Sequence, residues 1–268
     1  MAKVYLSPAY HRFNTCAVAG CDETTHNNLY LDALTPYLDA CGIQWKRGPR
    51  RIPNSAENGD TLMRKAVAES DAWGADVHYV SHTNASNGAA RGYRPIIYTG
   101  SVGGTKLAEK MIARRREIYD QPIRLNQRTD LYELRVPRAV SYYEEHVFHD
   151  NPEDAAWFHG HLRQIAAATA RGLCDYFGLP FRDPYVSAGQ PEDNGDMTAV
   201  LLPVLRRGKE SASVKAVQVL LNAGGYESGQ ADGIFGANTY AAVRRFQTAN
   251  ALEADGIVGV QTWGRLLQ

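Results

Sequence analysis

The stretch Asp76-Val-His-Tyr-Val-Ser81-His82-Thr-Asn84-Ala85 decides the reading of the fold. Its first half is a short run of valine and aromatic residues, the pattern of a buried strand, and it runs straight into a polar end. Before it, Asp60–Trp73 places Leu62, Val67 and Ala68 as the apolar positions of a helix. Earlier still, Thr25–Cys41 repeats Leu29, Leu31, Leu34 and Leu38 at helical spacing. The chain opens on a β-type run, Lys3–Leu6, closed by Ser7-Pro8. After the deciding stretch, the pattern predicts a helix over 105–120, a strand near 131–135 and a strand end at Val140–Tyr143. One long amphipathic helix is predicted over Ala155–Phe177, entered through Asn151-Pro-Glu-Asp154. Strands alternating with helices predict an α/β fold, a mostly parallel twisted sheet flanked by helices. In such sheets the working residues gather at the carboxyl ends of the strands, where Ser81-His82-Thr83-Asn84 lies.

Periodicity stops between about Pro180 and Pro203, a stretch rich in Pro, Gly and Asp that reads as a linker. Beyond it the chain repeats itself. Asp232-Gly-Ile-Phe-Gly236 is followed by Thr239, and Asp255-Gly-Ile-Val-Gly259 by Thr262. Each copy reads as a two-glycine turn with a Thr placed to open a helix. Helices over Ser213–Ala223, Thr239–Ala249 and Thr262–Leu267 predict a small all-α three-helix domain. Its core is expected from Val214, Val217, Leu220, Val243, Phe246 and Leu266. The domain reading is therefore 1–179, a linker over 180–202, and 203–268.

Lys+Arg and Asp+Glu balance at 29 each, so nothing in the overall charge favours nucleic acid or an anionic membrane surface. No apolar run approaches the ~20 residues that membrane insertion needs. The first residues lack the apolar centre of a secretory signal, so the expectation is synthesis in the cytoplasm. Cys16, Cys21, Cys41 and Cys174 form no CxxC pair, which argues against a Cys-rich zinc module and for buried free thiols. Cys16 and Cys21 remain candidates for a site wall.

His82 follows one strand and His11 follows another, so both should reach the same rim, and Glu23 opens the next helix. Two imidazoles and one carboxylate form a known catalytic zinc set with an open position. The spacings here, 12 and then 59 residues, are not the short helical pair of HExxH. A histidine at a strand end is ordinarily a surface or hydrogen-bonded residue, and an acid at a helix start ordinarily complements the dipole. Position alone does not separate His11 from His26, His146, His159 or His161.

Longer motifs add a resemblance. Val4-Tyr-Leu-Ser-Pro-Ala-Tyr-His11, Gly20-Cys-Asp-Glu23, Ser81-His82-Thr-Asn-Ala-Ser-Asn-Gly-Ala-Ala-Arg-Gly92 and Glu145-His-Val-Phe148-His-Asp-Asn151-Pro-Glu-Asp154 occur in this order. Over about residues 1–178 they resemble the type-3 zinc-dependent N-acetylmuramoyl-L-alanine amidases. The resemblance implies Zn²⁺ bound by His11, Glu23 and His82, and Glu145 as the catalytic carboxylate. The common pattern at the first ligand is Asp-Pro-Gly-His-Gly, whereas Ser-Pro-Ala-Tyr-His here sets the histidine one residue later. Glu144 stands beside Glu145, and the three-residue distance to Phe148 favours Glu145. Asn84 and Arg91 are expected substrate contacts.

Leu205-Arg-Arg-Gly208, Val214-Lys-Ala-Val-Gln218, the two Asp-Gly-Ile repeats and Phe246-Gln247 resemble the three-helix peptidoglycan-binding domain, over about residues 203–268. Together the two resemblances imply hydrolysis of the amide between N-acetylmuramic acid and L-alanine in bacterial peptidoglycan. The enzyme would reach the wall after phage lysis or autolysis. The rivals are a zinc peptidase that cuts peptide crosslinks and a wall-binding protein without catalysis.

Overall fold

The computed structural model describes residues 1–11, 14–18, 21–48, 59–185, 203–250 and 252–267. The chain divides into two units, Met1–Met197 and Thr198–Gln268.

In the first unit the described strands are β1 (Lys3–Pro8), β2 (Gln44–Arg47), β3 (Val77–Asn84), β4 (Arg94–Tyr98), β5 (Asn126–Arg128) and β6 (Val140–Phe148). They form one sheet in the order β2-β1-β3-β6-β4-β5. Every neighbouring pair is parallel except β4 against β6. The mostly parallel sheet is as predicted. The antiparallel strand β4 was not legible, because Pro95 in Arg-Pro-Ile-Ile-Tyr weakens its strand signal. Two short edge strands, β2 and β5, carry mostly polar and exposed residues, and they too escape a reading based on apolar runs.

The helices are α1 (Glu23–Ala40), α2 (Gly59–Trp73), α3 (Val102–Arg116), α4 (Tyr132–Arg135), α5 (Pro152–Gly160) and α6 (Leu162–Phe177). Side chains alternate across the sheet, and both faces are covered. Val4, Leu6, Val77, Tyr79 and Tyr142 join residues of α1, α3 and α6 in the main core. On the other face Val80, Ile96 and Tyr143 pack with Leu134 of α4, and Tyr5 donates to Glu69 of α2 at 2.6 Å.

Two expectations are corrected. Residues 131–135 hold a single helical turn, not a strand, with Leu131 O accepting from the N–H groups of Leu134 and Arg135. Tertiary contacts override local propensity there. The turn buries Glu133, whose Oε1 accepts from Ser7 Oγ at 2.6 Å and lies 3.0 Å from His78 Nε2. The long helix over 155–177 is two helices broken at His161, which has φ −126° and ψ 19°. Its ring Nδ1 lies 2.7 Å from the Trp157 carbonyl, the group its own backbone N–H would use in a continuous helix. The helix start at Asn151 is as predicted: its side chain accepts from the N–H groups of Glu153 and Asp154.

Cys41 and Cys174 are buried, but Cys16 and Cys21 are only partly so, against the expectation of buried thiols. Of the expected linker, residues 186–202 lie outside the described residues. Residues before them pack onto the first unit. Tyr37 stacks on Phe181 with ring centroids 6.1 Å apart and meets Tyr185 edge-on at 5.5 Å.

The second unit consists of α7 (Ala212–Ala223), α8 (Ala237–Ala249) and α9 (Val260–Leu266). Val214, Val217, Val243 and Phe246 are buried as expected, with Phe235, Val258 and Trp263 added. Leu220 and Leu266 pack at the edge. The sequence repeat has a physical cause. Gln218 of α7 donates from Nε2 to Asp232 Oδ1, Ile234 O and Thr239 Oγ1, and accepts from Gly233 N–H. Gln247 of α8 does the same with Asp255, Ile257, Thr262 and Gly256. Thr239 and Thr262 therefore lock a turn onto a buried glutamine. They do not cap helices, since the N-cap positions of α8 and α9 are Gly236 and Gly259.

Candidate functional site

Register builds the site. Because β3 and β6 run parallel, residues side by side point to the same face. Ser81 pairs with Glu144 and His82 with Glu145. Glu144 faces the main core, where it accepts from the Tyr79 and Tyr93 hydroxyls. Glu145 faces the other way, beside His82 at the carboxyl end of the sheet. The Tyr143 ring stacks on His82 with centroids 4.6 Å apart, which fixes the plane of the imidazole.

His11 lies three residues past the end of β1, and Glu23 is the first residue of α1. Between them, Thr15 and Asp22 pair in an antiparallel bridge. The segment is tied to the end of β6 by Ala17 N–H to His149 O at 2.8 Å. Asp22 caps α1 by accepting from Thr25 N–H at 2.7 Å. These contacts aim Glu23 back at the sheet. Its Oε2 is 3.1 Å from His11 Nδ1 and its Oε1 is 2.9 Å from His82 Nδ1. One ligand-type atom from each of the three lies within 4.8 Å of the others. The set is buried on one side and open on the other: the side chains of Glu23 and His82 are 2% and 9% exposed, that of His11 52%.

Burial disfavours charge on Glu23, but the hydrogen bonds to His11 and His82 outweigh it and hold the carboxylate well below its usual range. Burial likewise opposes charge on His82, yet Glu23 raises its pKa. For Glu145 burial dominates. It pushes the carboxyl up to about 7 against the pull of His82, with Glu23 adding repulsion.

Two observations test whether these residues suit a metal ion. The donor set, two imidazoles and a carboxylate exposed to solvent on the His11 side, is one that catalytic zinc sites use. Oε2 of Glu145, the strand neighbour of His82, is buried with no hydrogen-bond partner, an orphaned acceptor that a bound water or substrate would satisfy. Both fit zinc.

The sequence missed groups that brace the set. Asn14 Nδ2 donates to Glu23 Oε2 at 2.8 Å, and Thr83 N–H donates to Glu23 Oε1 at 3.2 Å. No local pattern marks either one; only the fold brings them to Glu23. Asn84 ends β3 with its side chain accepting from Ala85 N–H. Arg91 is engaged elsewhere: its Nε donates to Asp154 Oδ1 at 3.0 Å and Nη1 to Glu153 Oε2 at 2.5 Å. Next to it Gly92 has φ +121°, and a Cβ there would lie 2.3 Å from Pro122 O, so the Arg-Gly pair holds a tight loop against α5.

Comparison with known proteins places this architecture. The N-terminal unit has the fold of N-acetylmuramoyl-L-alanine amidase catalytic domains. It is similar to that of CwlV from Bacillus (Paenibacillus) polymyxa var. colistinus, with TM-score 0.57 and 15% identity over 67% of this chain and 100% of that one. It is also similar to AmiC2 of Nostoc punctiforme, with TM-score 0.57 and 19% identity over 66% and 97%. Residues 210–266 match the family described as putative peptidoglycan binding domain. An uncharacterized protein in the bpoA1 3′ region of Kitasatospora aureofaciens is 36% identical over 102 residues, 38% of this chain and 86% of that protein. The chain belongs to the same family as that protein.

Proposed function

We propose that the protein is a zinc-dependent N-acetylmuramoyl-L-alanine amidase that lyses bacterial cell walls. The observation that carries this reading is the convergence of His11, Glu23 and His82 on one rim of the sheet, with Glu145 beside His82. His11, Glu23 and His82 would hold the ion. When bound, zinc supplies Lewis acidity to a carbonyl and to a water in its open position. Glu145 takes the proton of the attacking water and returns it to the departing L-alanine amine, work that one carboxylate near neutral pKa can do in both directions. Glu23, held ionised, compensates the positive charge. Arg91 holds the loop after β3 in place, and Asn84 remains the candidate substrate contact at the rim. The C-terminal unit would hold the enzyme on peptidoglycan, the chemistry its family description names.

Bond specificity is tested by digesting purified wall and identifying the new ends. A free L-alanine amine supports the amidase. A different peptide end would make the protein a zinc peptidase, and no new ends would leave only wall binding. Metal content is a second test. His82→Ala should hold about one zinc equivalent less than the unmodified protein, because two donors rarely retain an ion that needs three. Full retention would remove His82 from the ligand set.

Attachment gives a third expected result. A chain ending after Tyr185, which keeps the Phe181 and Tyr185 contacts with Tyr37, should cleave small soluble muropeptides at an unchanged rate. On intact walls it should sediment less and clear more slowly, because tethering raises the local substrate concentration. Loss of activity on the soluble substrate would contradict a purely anchoring role.

A further inference from the structure

A second cluster of metal-binding side chains lies outside the site just described. The Thr15–Asp22 bridge and the Cys16 N–H bond to Cys21 O set Cys16 and Cys21 across from each other. His26, one turn into α1, faces them. Ligand-type atoms of Cys16, Cys21 and His26 all lie within 4.8 Å of one another. Cys16 Sγ is 3.4 Å from His26 Nδ1, close to the ~3.6 Å edge of a tetrahedron built from ordinary Zn–S and Zn–N bonds. His159 lies outside that set of three but packs on it: its ring, near the end of α5, meets that of His26 at a centroid distance of 4.0 Å and an angle of 78°.

Two imidazole nitrogens here remain unpaired. His26 is fully buried, yet its Nε2 has no hydrogen-bond partner. Nε2 of His159 is also buried and without a partner. Two orphaned imidazole nitrogens beside two thiols are costly as plain packing, since a buried donor or acceptor left unpaired loses the bond it would make to water. An ion bound at Nε2 of His159 would remove that cost there, and at His26 the nitrogen that meets an ion beside Cys16 is Nδ1. The donor chemistry selects the ion: two soft sulfurs and two imidazoles, all at least partly buried, suit zinc better than calcium or magnesium.

We propose that Cys16, Cys21, His26 and His159 form a structural zinc site, separate from the His11, Glu23 and His82 rim. The sequence spacing pointed away from it, because four residues separate the cysteines and the fourth donor comes from α5. Its position gives it a purpose. Cys16 and Cys21 sit on the segment that joins His11 to Glu23, and His26 follows Glu23 by three residues. An ion here would pin that segment to α1 and α5 and so fix the directions of two residues of the rim. Binding requires both thiols to lose their protons, so it releases acid and weakens as pH falls.

The test uses the full chain, purified under reducing conditions and reloaded with cobalt(II). The expected result is about two metal equivalents, with a thiolate-to-cobalt charge-transfer band in the near ultraviolet. Cys16→Ser/Cys21→Ser should abolish the band and lower the metal content to about one equivalent. His82→Ala should lower the metal content equally but keep the band, so failure here and failure of the catalytic reading are separable. Should the double cysteine variant not fold, His159→Gln serves instead, and it should shift the band and lose metal to a mild chelator that the unmodified protein withstands. Three results would overturn the proposal. One is the absence of the band in the unmodified protein. Another is its survival in Cys16→Ser/Cys21→Ser, which would assign it to Cys41 and Cys174. The third is a Cys16–Cys21 disulfide in protein isolated with zinc present.

Discussion

In Glu145→Gln, release of L-alanine amine ends from purified wall is expected to fall at least about 10²-fold, the ordinary contribution of a positioned general base. Shape and hydrogen-bonding capacity barely change, so the loss reports the proton-accepting role. The reasoning starts from the register: Glu145 is next to His82 on the neighbouring parallel strand, so both side chains leave the sheet on the same face. Oε2 of Glu145 is buried and unpartnered, with no structural task that glutamine could disturb. Zinc content should therefore match the unmodified protein. Loss of metal together with activity would instead make Glu145 a ligand. Near-normal turnover would move the base elsewhere, but not to Glu144, which the core-facing tyrosines occupy.

How much of this was legible depends on where the information lies. Strands β1 and β3 and helices α1, α2 and α3 each announce themselves through apolar spacing, because each buries a face of its own. The single turn α4 is decided by a distant partner, Glu133 meeting His78, and the break at His161 by a local competition of the His161 ring for the Trp157 carbonyl. No window of sequence contains the first of these. The strand after Ala139 was read only as far as Tyr143, because Glu-Glu-His interrupts its apolar run, whereas it continues to Phe148. Its polar residues are buried by an internal ion pair on one face and by the candidate site on the other. For the site, His11, Glu23, His82 and Glu145 could be named from motifs, and the fold brings them to one place. Asn14 and the cluster around Cys16 could not, since their meaning comes from how one short segment folds back on α1.

The second large effect concerns stability. Arg115→Leu is expected to destabilise the protein by about 3–5 kcal/mol, the usual cost of stripping one partner from a buried ion pair. Arg115 is 1% exposed. Its guanidinium lies 4.0 Å from Glu144 Oε2, 2.9 Å from His146 Nδ1 and 4.3 Å from the centre of the Tyr93 ring. Leucine fills some of the volume but leaves the Glu144 carboxyl with two tyrosine hydroxyls and the His146 ring, whose Nδ1 is 3.5 Å away, and no cation. The pH dependence follows from linkage. Burial already raises the Glu144 pKa and Arg115 opposes that rise, so removing Arg115 lifts the folded-state value further above the unfolded one. The folded variant then holds a proton that the unfolded chain has released, and its stability falls as pH rises above the unfolded carboxyl value near 4.3. The deficit against the unmodified protein should be smaller at pH 5 than at pH 8 in urea unfolding. Arg115→Leu/Glu144→Gln should recover a large part of it, because removing both charges leaves none buried and unpaired. A deficit independent of pH, and not reduced in the double variant, would mean that packing alone explains the loss. Glu144 and Glu145 are consecutive on β6 and leave it on opposite faces, so the two variants probe the two sides of one strand. Substitution at Glu145 should slow turnover without lowering the unfolding midpoint, since Gln removes a carboxyl whose charge burial disfavours. Substitution at Arg115 should move the midpoint while zinc content and turnover of the folded fraction stay near normal.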